Sequence, residues 1–211
     1  MSEERKPIKK NALNEYTIKL VGPEQEGTWK TPILGVSVVG NKPKIDVFTN
    51  NDADGDNGRI TAPMNAQTFM ALANTIEDVV NNKVDKMVFI NKSGPPGKQT
   101  DVSQTVVGRD TDRRVFISVI AKDKPRVKFI FGPGNWNNVA NGDGTMDDVL
   151  RSEIYARAWA TLFKHLVPNV LDSQYTAPEP KNKQFQKRGT GGNAAYSPDN
   201  VSVQELDDIL N

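Results

Sequence analysis

Arg113, Arg114, Phe116, Arg126 and Lys128 set four cations and an aromatic ring within sixteen residues. That combination suits one kind of chemistry: cations that follow a phosphate backbone, and a ring on which a base can stack for roughly 1–3 kcal/mol. The stretch Arg113 to Phe131 holds seven charged residues, six of them basic. Its runs Val115 to Ala121 and Arg126 to Phe131 are rich in β-branched and aromatic residues and flank the turn Lys122-Asp123-Lys124-Pro125, which predicts a hairpin. Alternation along a strand puts Arg114, Phe116 and Ser118 on one face and Val115, Ile117 and Val119 on the other. On the second strand Arg126, Lys128 and Ile130 oppose Val127, Phe129 and Phe131, so an apolar face needs a core while a basic face can meet an anion. A register slip of one residue would exchange the two faces. Lys44, Phe48, Arg109 and Trp136 extend the set. Phe48 reads either as a stacking platform or as the rim of a second packed layer, and Trp136 either as a stacking ring or as a lid over the core.

Catalytic chemistry has little to stand on. There is no cysteine, which removes disulfides, thiolate metal sites and thiol nucleophiles. His165 is the only histidine, and a predicted place in the last turn of a helix gives it a simple dipole role. No phosphate-binding loop, G-x-S-x-G or zinc spacing occurs. The pairs Asp110/Asp112 and Asp147/Asp148 could hold magnesium, but carboxylates gather at turns and helix starts for other reasons. Asp52, Asp54 and Asp56 alternate as in a calcium loop, yet the positions that need a turn glycine and a bidentate glutamate hold Asn57 and Pro63. The expectation is a non-enzyme without metal or cofactor.

The elements that must position the basic face follow from hydrophobic period. Tyr16 to Val21, Ile33 to Val39, Lys44 to Thr49 and Arg59 to Ala62 predict four strands, with turns at Gly22-Pro23 and Gly40-Asn41-Lys42-Pro43. Asn65 can cap a helix on which Phe69, Leu72, Ala73, Ile76, Val79 and Val80 form one apolar stripe. The order then begins again. Strands at Met87 to Asn91, Ser103 to Arg109, Arg114 to Ala121 and Arg126 to Phe131 precede a second helix, Met146 to Val167, capped by Thr145 with Asp148 and stopped by Pro168. Leu150, Ile154, Tyr155, Ala158, Leu162 and Leu166 are its predicted buried stripe. The fold class is therefore α+β: two consecutive four-strand-plus-helix units, residues 16–82 and 86–167, antiparallel sheets packed with helices in one domain spanning 14–170.

Composition sets the ends apart. Hydrophobic residues make up 36% and mean hydropathy is −0.56, low enough that part of the 211 residues should not fold. Residues 1–13 are polar, with Lys9 and Lys10 paired, and read as a flexible arm that either aids solubility or touches a polyanion. All 27 Lys and Arg residues lie at or before Arg188, against 22 acids; the last 23 residues carry four acids and no base. Residues 171–201 read as a disordered linker. Within 202–211, Ser202 and Glu205 form a capping box, and Val203, Leu206, Ile209 and Leu210 share one side with Asp207 and Asp208 beside them. Too short for a stable helix alone, this tip suits docking on a partner. No apolar run reaches membrane-span length and no signal-peptide core opens the chain, so a cytoplasmic, membrane-free protein is expected.

Two successive units of four strands and a helix resemble the Whirly family of single-stranded DNA-binding proteins over about residues 16–167. The Lys-rich DNA motif of plant Whirly proteins is not recognisable. The C-terminal design separately resembles single-stranded DNA-binding proteins of bacteria and phages, whose disordered linker ends in an acidic-apolar tip that recruits replication and repair proteins. Here the tip is Glu205-Leu206-Asp207-Asp208-Ile209-Leu210-Asn211, without the usual terminal Phe. Together the resemblances imply a phage-encoded single-stranded DNA-binding protein for replication or recombination, working in the host cytoplasm, often as a homo-oligomer, with a tip that competes with DNA for the basic groove. An OB-fold binder with the same function, and a non-enzymatic adaptor or transcription cofactor that binds protein through body and tail, remain alternatives.

Overall fold

The computed structural model describes residues 11–23, 31–51, 58–93, 98, 100–133, 137 and 139–177. Two short 3-10 turns, Ala12–Asn14 and Tyr16–Ile18, lead into β1 (Leu20–Val21), β2 (Ile33–Val39), β3 (Lys42–Phe48) and β4 (Arg59–Pro63). After α1 (Ala66–Val80) come β5 (Lys86–Ser93), β6 (Thr100–Arg109), β7 (Val115–Ile120) and β8 (Val127–Ile130), and then α2 (Asp148–Ser173). The strands form two antiparallel four-stranded sheets, β1-β2-β3-β4 and β5-β6-β7-β8, each in sequence order. Two separate meanders, with no five-stranded barrel among the described residues, replace the OB-fold alternative.

The predicted hairpin register holds. Val115, Ile117 and Val119 on β7, and Val127, Phe129 and Phe131 on or beside β8, are buried in the core. α1 also follows its stripe, with all six predicted positions buried, and Asn65 Oδ1 accepts the Thr68 N–H at 2.7 Å. Between β2 and β3, Gly40 and Asn41 both take positive φ, the pair of left-handed residues that a two-residue hairpin turn requires. The inner faces of both sheets and the buried sides of both helices share one core, where Trp159 meets Phe69, Phe131 and Phe163. Ser103 Oγ on β6 donates to the Thr61 carbonyl on β4 at 3.3 Å, tying sheet to sheet.

Several expectations are corrected. The predicted strand Tyr16 to Val21 forms as a 3-10 turn and a two-residue β1. Residues 11–13 are not part of a free arm: Asn11 caps the first turn and Leu13 is buried in the core. α2 starts at Asp148 instead of Met146, with Asp147 as its cap, accepting from the N–H groups of Val149 and Leu150. It does not stop at Pro168 but continues to Ser173, and the Asn41 side chain bonds the Thr176 backbone, so the body extends beyond residue 170. His165 thus lies inside the helix, away from its C-terminal turn.

The largest correction concerns the face α2 buries. Ser152, Ala156, Trp159, Ala160, Phe163, Val167 and Val170 point inward, while Leu150, Ile154 and Leu162 of the predicted stripe are exposed and Ala158 with them. Trp159 and Phe163 decide this orientation, because two large rings bury more apolar area than the aliphatic row they displace. Ser152 is no misfit in the core: its Oγ accepts the Val115 N–H at 2.9 Å and donates to the Val149 carbonyl, which seats α2 on β7.

Candidate nucleic-acid interface

The outer face of the second sheet is built by the side chains that point away from the core. Strand pairing aligns Lys86, Gly108, Phe116 and Ile130 in one row, and Val88, Val106, Ser118 and Lys128 in the next. Ile90, Gln104 and Ile120 form a third. Lys86, Phe116, Ile120, Arg126 and Lys128 line a groove of about 480 Å³ there, with Asp110 and Thr111 at one end. No ion pair engages Lys86, Arg126 or Lys128 among the described residues. Phe116 lies in the middle, only 7% exposed between Gly108 and Ile130, and the Lys128 ammonium sits 5.0 Å from its ring centroid. A base reaching that ring must first displace the ammonium, which would then be free to meet a phosphate.

Three of the four arginines expected at this interface, Arg109, Arg113 and Arg114, have other partners. Arg109 turns into the body: its side chain is 3% exposed, Nη2 bonds Glu153 Oε1 of α2 at 2.6 Å and the Val80 carbonyl at the end of α1 at 3.0 Å, and Nη1 bonds the Arg113 carbonyl. It lines the inner end of the groove, but with its guanidinium so engaged it acts as a clamp between β6 and both helices. Arg114 holds Asp110 through two hydrogen bonds and also pairs with Asp112. Burial alone would raise the Asp110 pKa, but the Arg114 guanidinium and two backbone N–H groups hold it below the ordinary carboxylate value. The same contacts raise the pKa of Arg114. Arg113, at φ 67°, pairs with Asp85 and Asn82 on the far side of the turn. Ser118 was placed on this face by strand alternation, whereas Ile120 and Lys86 were not singled out in the sequence; the signal for Lys86 was its place two residues before Val88 on one strand face.

The first sheet carries a second cation and ring. Phe48 is 37% exposed, with the Arg59 guanidinium 5.6 Å from its centroid. Here the charge is compensated. Asp46 is buried beside them and accepts from Arg59 Nε and Nη2, Thr61 Oγ1 and Ser37 Oγ at 2.6–3.1 Å. Lys44 shares that outer face without an ion pair among the described residues. Lys44 and Phe48 therefore lie on a different sheet from Phe116, Arg126 and Lys128.

No protein-family model, curated protein or solved structure matches this chain.

Function therefore rests on the geometry. Trp136, the Asp52–Asp56 loop and the tip residues Glu205, Leu206, Asp207, Asp208, Ile209 and Leu210 lie outside the described residues. Among the described residues no group of three or more His, Asp or Glu could hold a metal ion, and no helix is long and apolar enough to cross a membrane.

Proposed function

We propose that this chain binds single-stranded DNA without strong sequence preference and without catalysing a reaction. The observation that carries the reading is the outer face of the second sheet, where Lys86, Arg126 and Lys128 surround an apolar floor and pair with no carboxylate among the described residues, Asp110 at the groove's end being taken by Arg114. Phosphates need the cations, bases need the floor and the Phe116 ring, and a duplex would offer its bases to neither. Two consecutive meander-plus-helix units support a Whirly-like arrangement as the finer reading of the fold. The acidic-apolar tip at 205–210 supports, from its sequence, recruitment of replication or recombination proteins, as in a phage-encoded binder working in a host cell.

The test is fluorescence anisotropy of a labelled oligo-dT, with a duplex and an oligo-U of equal length, over a salt series. Tight binding to oligo-dT that weakens with salt, and weak binding to duplex, is expected. The paired variant Arg126→Ala/Lys128→Ala should weaken binding at every salt concentration and flatten the log-log salt slope by about 1–2, one for each phosphate that the variant no longer neutralises. Equal affinity for duplex, or no binding at low salt, would overturn the reading and leave the adaptor. Stronger binding to oligo-U would move the substrate class to RNA.

A further inference from the structure

The groove on the second sheet does not end at Ile120 and Arg126. These two residues also line a further depression of about 390 Å³, which runs on past Gln104 of β6 to Lys122 and Lys124 of the β7–β8 turn. At its other end the groove opens, through Asp110, Thr111 and Lys128, into a larger depression of about 550 Å³ beside Gly22, Pro23 and Ile130. A strand lying over Phe116 therefore has two ways to continue, and their charges differ. At the Ile130 end the guanidiniums are engaged: Arg114 pairs with Asp110 and Asp112, and Arg151, which lines the next depression along with Arg114, pairs with Asp148. Carboxylates there outnumber arginines, so Lys128 alone is left to meet a phosphate. At the turn end Lys122, Lys124 and Arg126 stand against Asp101 and Asp123, and Asp101 already faces Lys92 at 3.6 Å.

We infer that a bound single strand runs along β7 towards the β7–β8 turn, with Gln104 touching a base and Lys122 a phosphate beyond the groove already described. The inference rests on the reading of this face as a DNA surface and adds its course and two contact residues. Spacing supports the course. Phe116, Ser118 and Ile120 face outwards on β7, and each step of two residues advances about 6.8 Å. An extended strand advances by about twice the roughly 3.4 Å rise of a stacked one, so each outward-facing residue meets one nucleotide. Lys122, two residues past Ile120, stands where the next phosphate falls.

Gln104 lies beside Ile120 in the third row of the face. It is exposed, and its amide makes no hydrogen bond among the described residues, so two N–H donors and a carbonyl are open to a base edge. The polar neighbour in the second row is already committed, since Ser118 Oγ donates to the Val127 carbonyl. Because an amide can turn either its donors or its acceptor to the ligand, Gln104 can hold any base without selecting one strongly.

Anisotropy of labelled oligo-dT with the full chain tests the course at about 50 mM salt and above. Lys122→Ala should weaken binding about three- to tenfold and lower the log-log salt slope by about 0.7, the share of one phosphate on a single strand. Gln104→Glu, which puts a carboxylate under the path at nearly constant volume, should weaken it by at least about tenfold. Arg151→Ala, on the other route, should stay within about twofold of the wild type. Thermal midpoints should hold for the first two, because Gln104 and Lys122 are exposed. Photo-cross-linking to a thiothymidine-substituted oligo-dT should place adducts on the peptides holding Gln104 and Ile120 and none on the start of α2. Wild-type affinity in both Lys122→Ala and Gln104→Glu, with Arg126→Ala/Lys128→Ala still impaired, would overturn the course and leave DNA binding on this sheet standing. A loss from Arg151→Ala as large as that from Lys122→Ala, or adducts at the start of α2, would overturn it as well. A wild type that binds no oligo-dT fails at the earlier step and removes both.

Discussion

Arg109 is a cation placed among cations in the sequence and withdrawn from them in the fold. Its guanidinium satisfies the last carbonyl of α1 and the Glu153 carboxylate of α2, and its Nε is buried without a hydrogen-bond partner among the described residues. Removing one member of such a buried pair strands the other, so Glu153→Ala should cost about 3–5 kcal/mol in chemical denaturation. Arg109→Met, which removes the buried charge and keeps the volume, should cost less than Glu153→Ala if α2 can release Glu153 to solvent. Asp110 gives a residue-scale dependence on pH. Its folded pKa lies below the ordinary 3.8, so its charge stabilises the fold fully above that value and loses this effect as pH falls through the folded pKa. Denaturation of the wild type and Asp110→Asn from about pH 7 down to about pH 2 should show a stability gap that closes only on the acid side of 3.8.

At the scale of elements, legibility in the sequence tracked how many solutions each pattern allowed. α1 has one apolar stripe and a capping Asn65, so only one orientation buries it. The β7–β8 faces were equally determined, since alternation offers two choices and one of them would bury Arg114, Arg126 and Lys128. α2 offered two apolar sides, and local period cannot rank them; the contacts of Trp159 and Phe163 with Phe69 and Phe131, distant in sequence, did. For the same reason Arg109 looked like a ligand for phosphate, because its partner Glu153 is 44 residues away. Pro168 shows tertiary context overriding propensity. The helix passes through it on the solvent side although proline denies Lys164 its usual N–H donor. Pro168→Ala should accordingly raise the thermal midpoint, with a gain of about 1–3 kcal/mol.

Across the whole molecule, the two sheets carry their cations in different electrostatic settings. The first sheet places Arg59 against the buried Asp46, while the second leaves Lys86, Arg126 and Lys128 unmatched among the described residues. If a strand follows the second sheet alone, Lys44→Ala should leave oligo-dT affinity and salt slope within error of the wild type, while Lys86→Ala lowers both. Equal losses from the two would mean that the path crosses both sheets. Tryptophan emission is a poor reporter for such measurements, because Trp159 is buried on the inner side of the sheets and would contribute a constant background.

The ammonium resting on Phe116 bears on how the protein behaves when nothing is bound. A bare ring beside Val106 and Ile120, with Val88 and Ile90 exposed on the neighbouring edge strand, would make an adhesive surface on every free copy. Lys128 shields that surface with a hydrated charge until a ligand takes its place. Lys128→Ala should therefore show its defect before any DNA is added, as stronger binding of a hydrophobic dye and faster clouding on storage, and oligo-dT should suppress both.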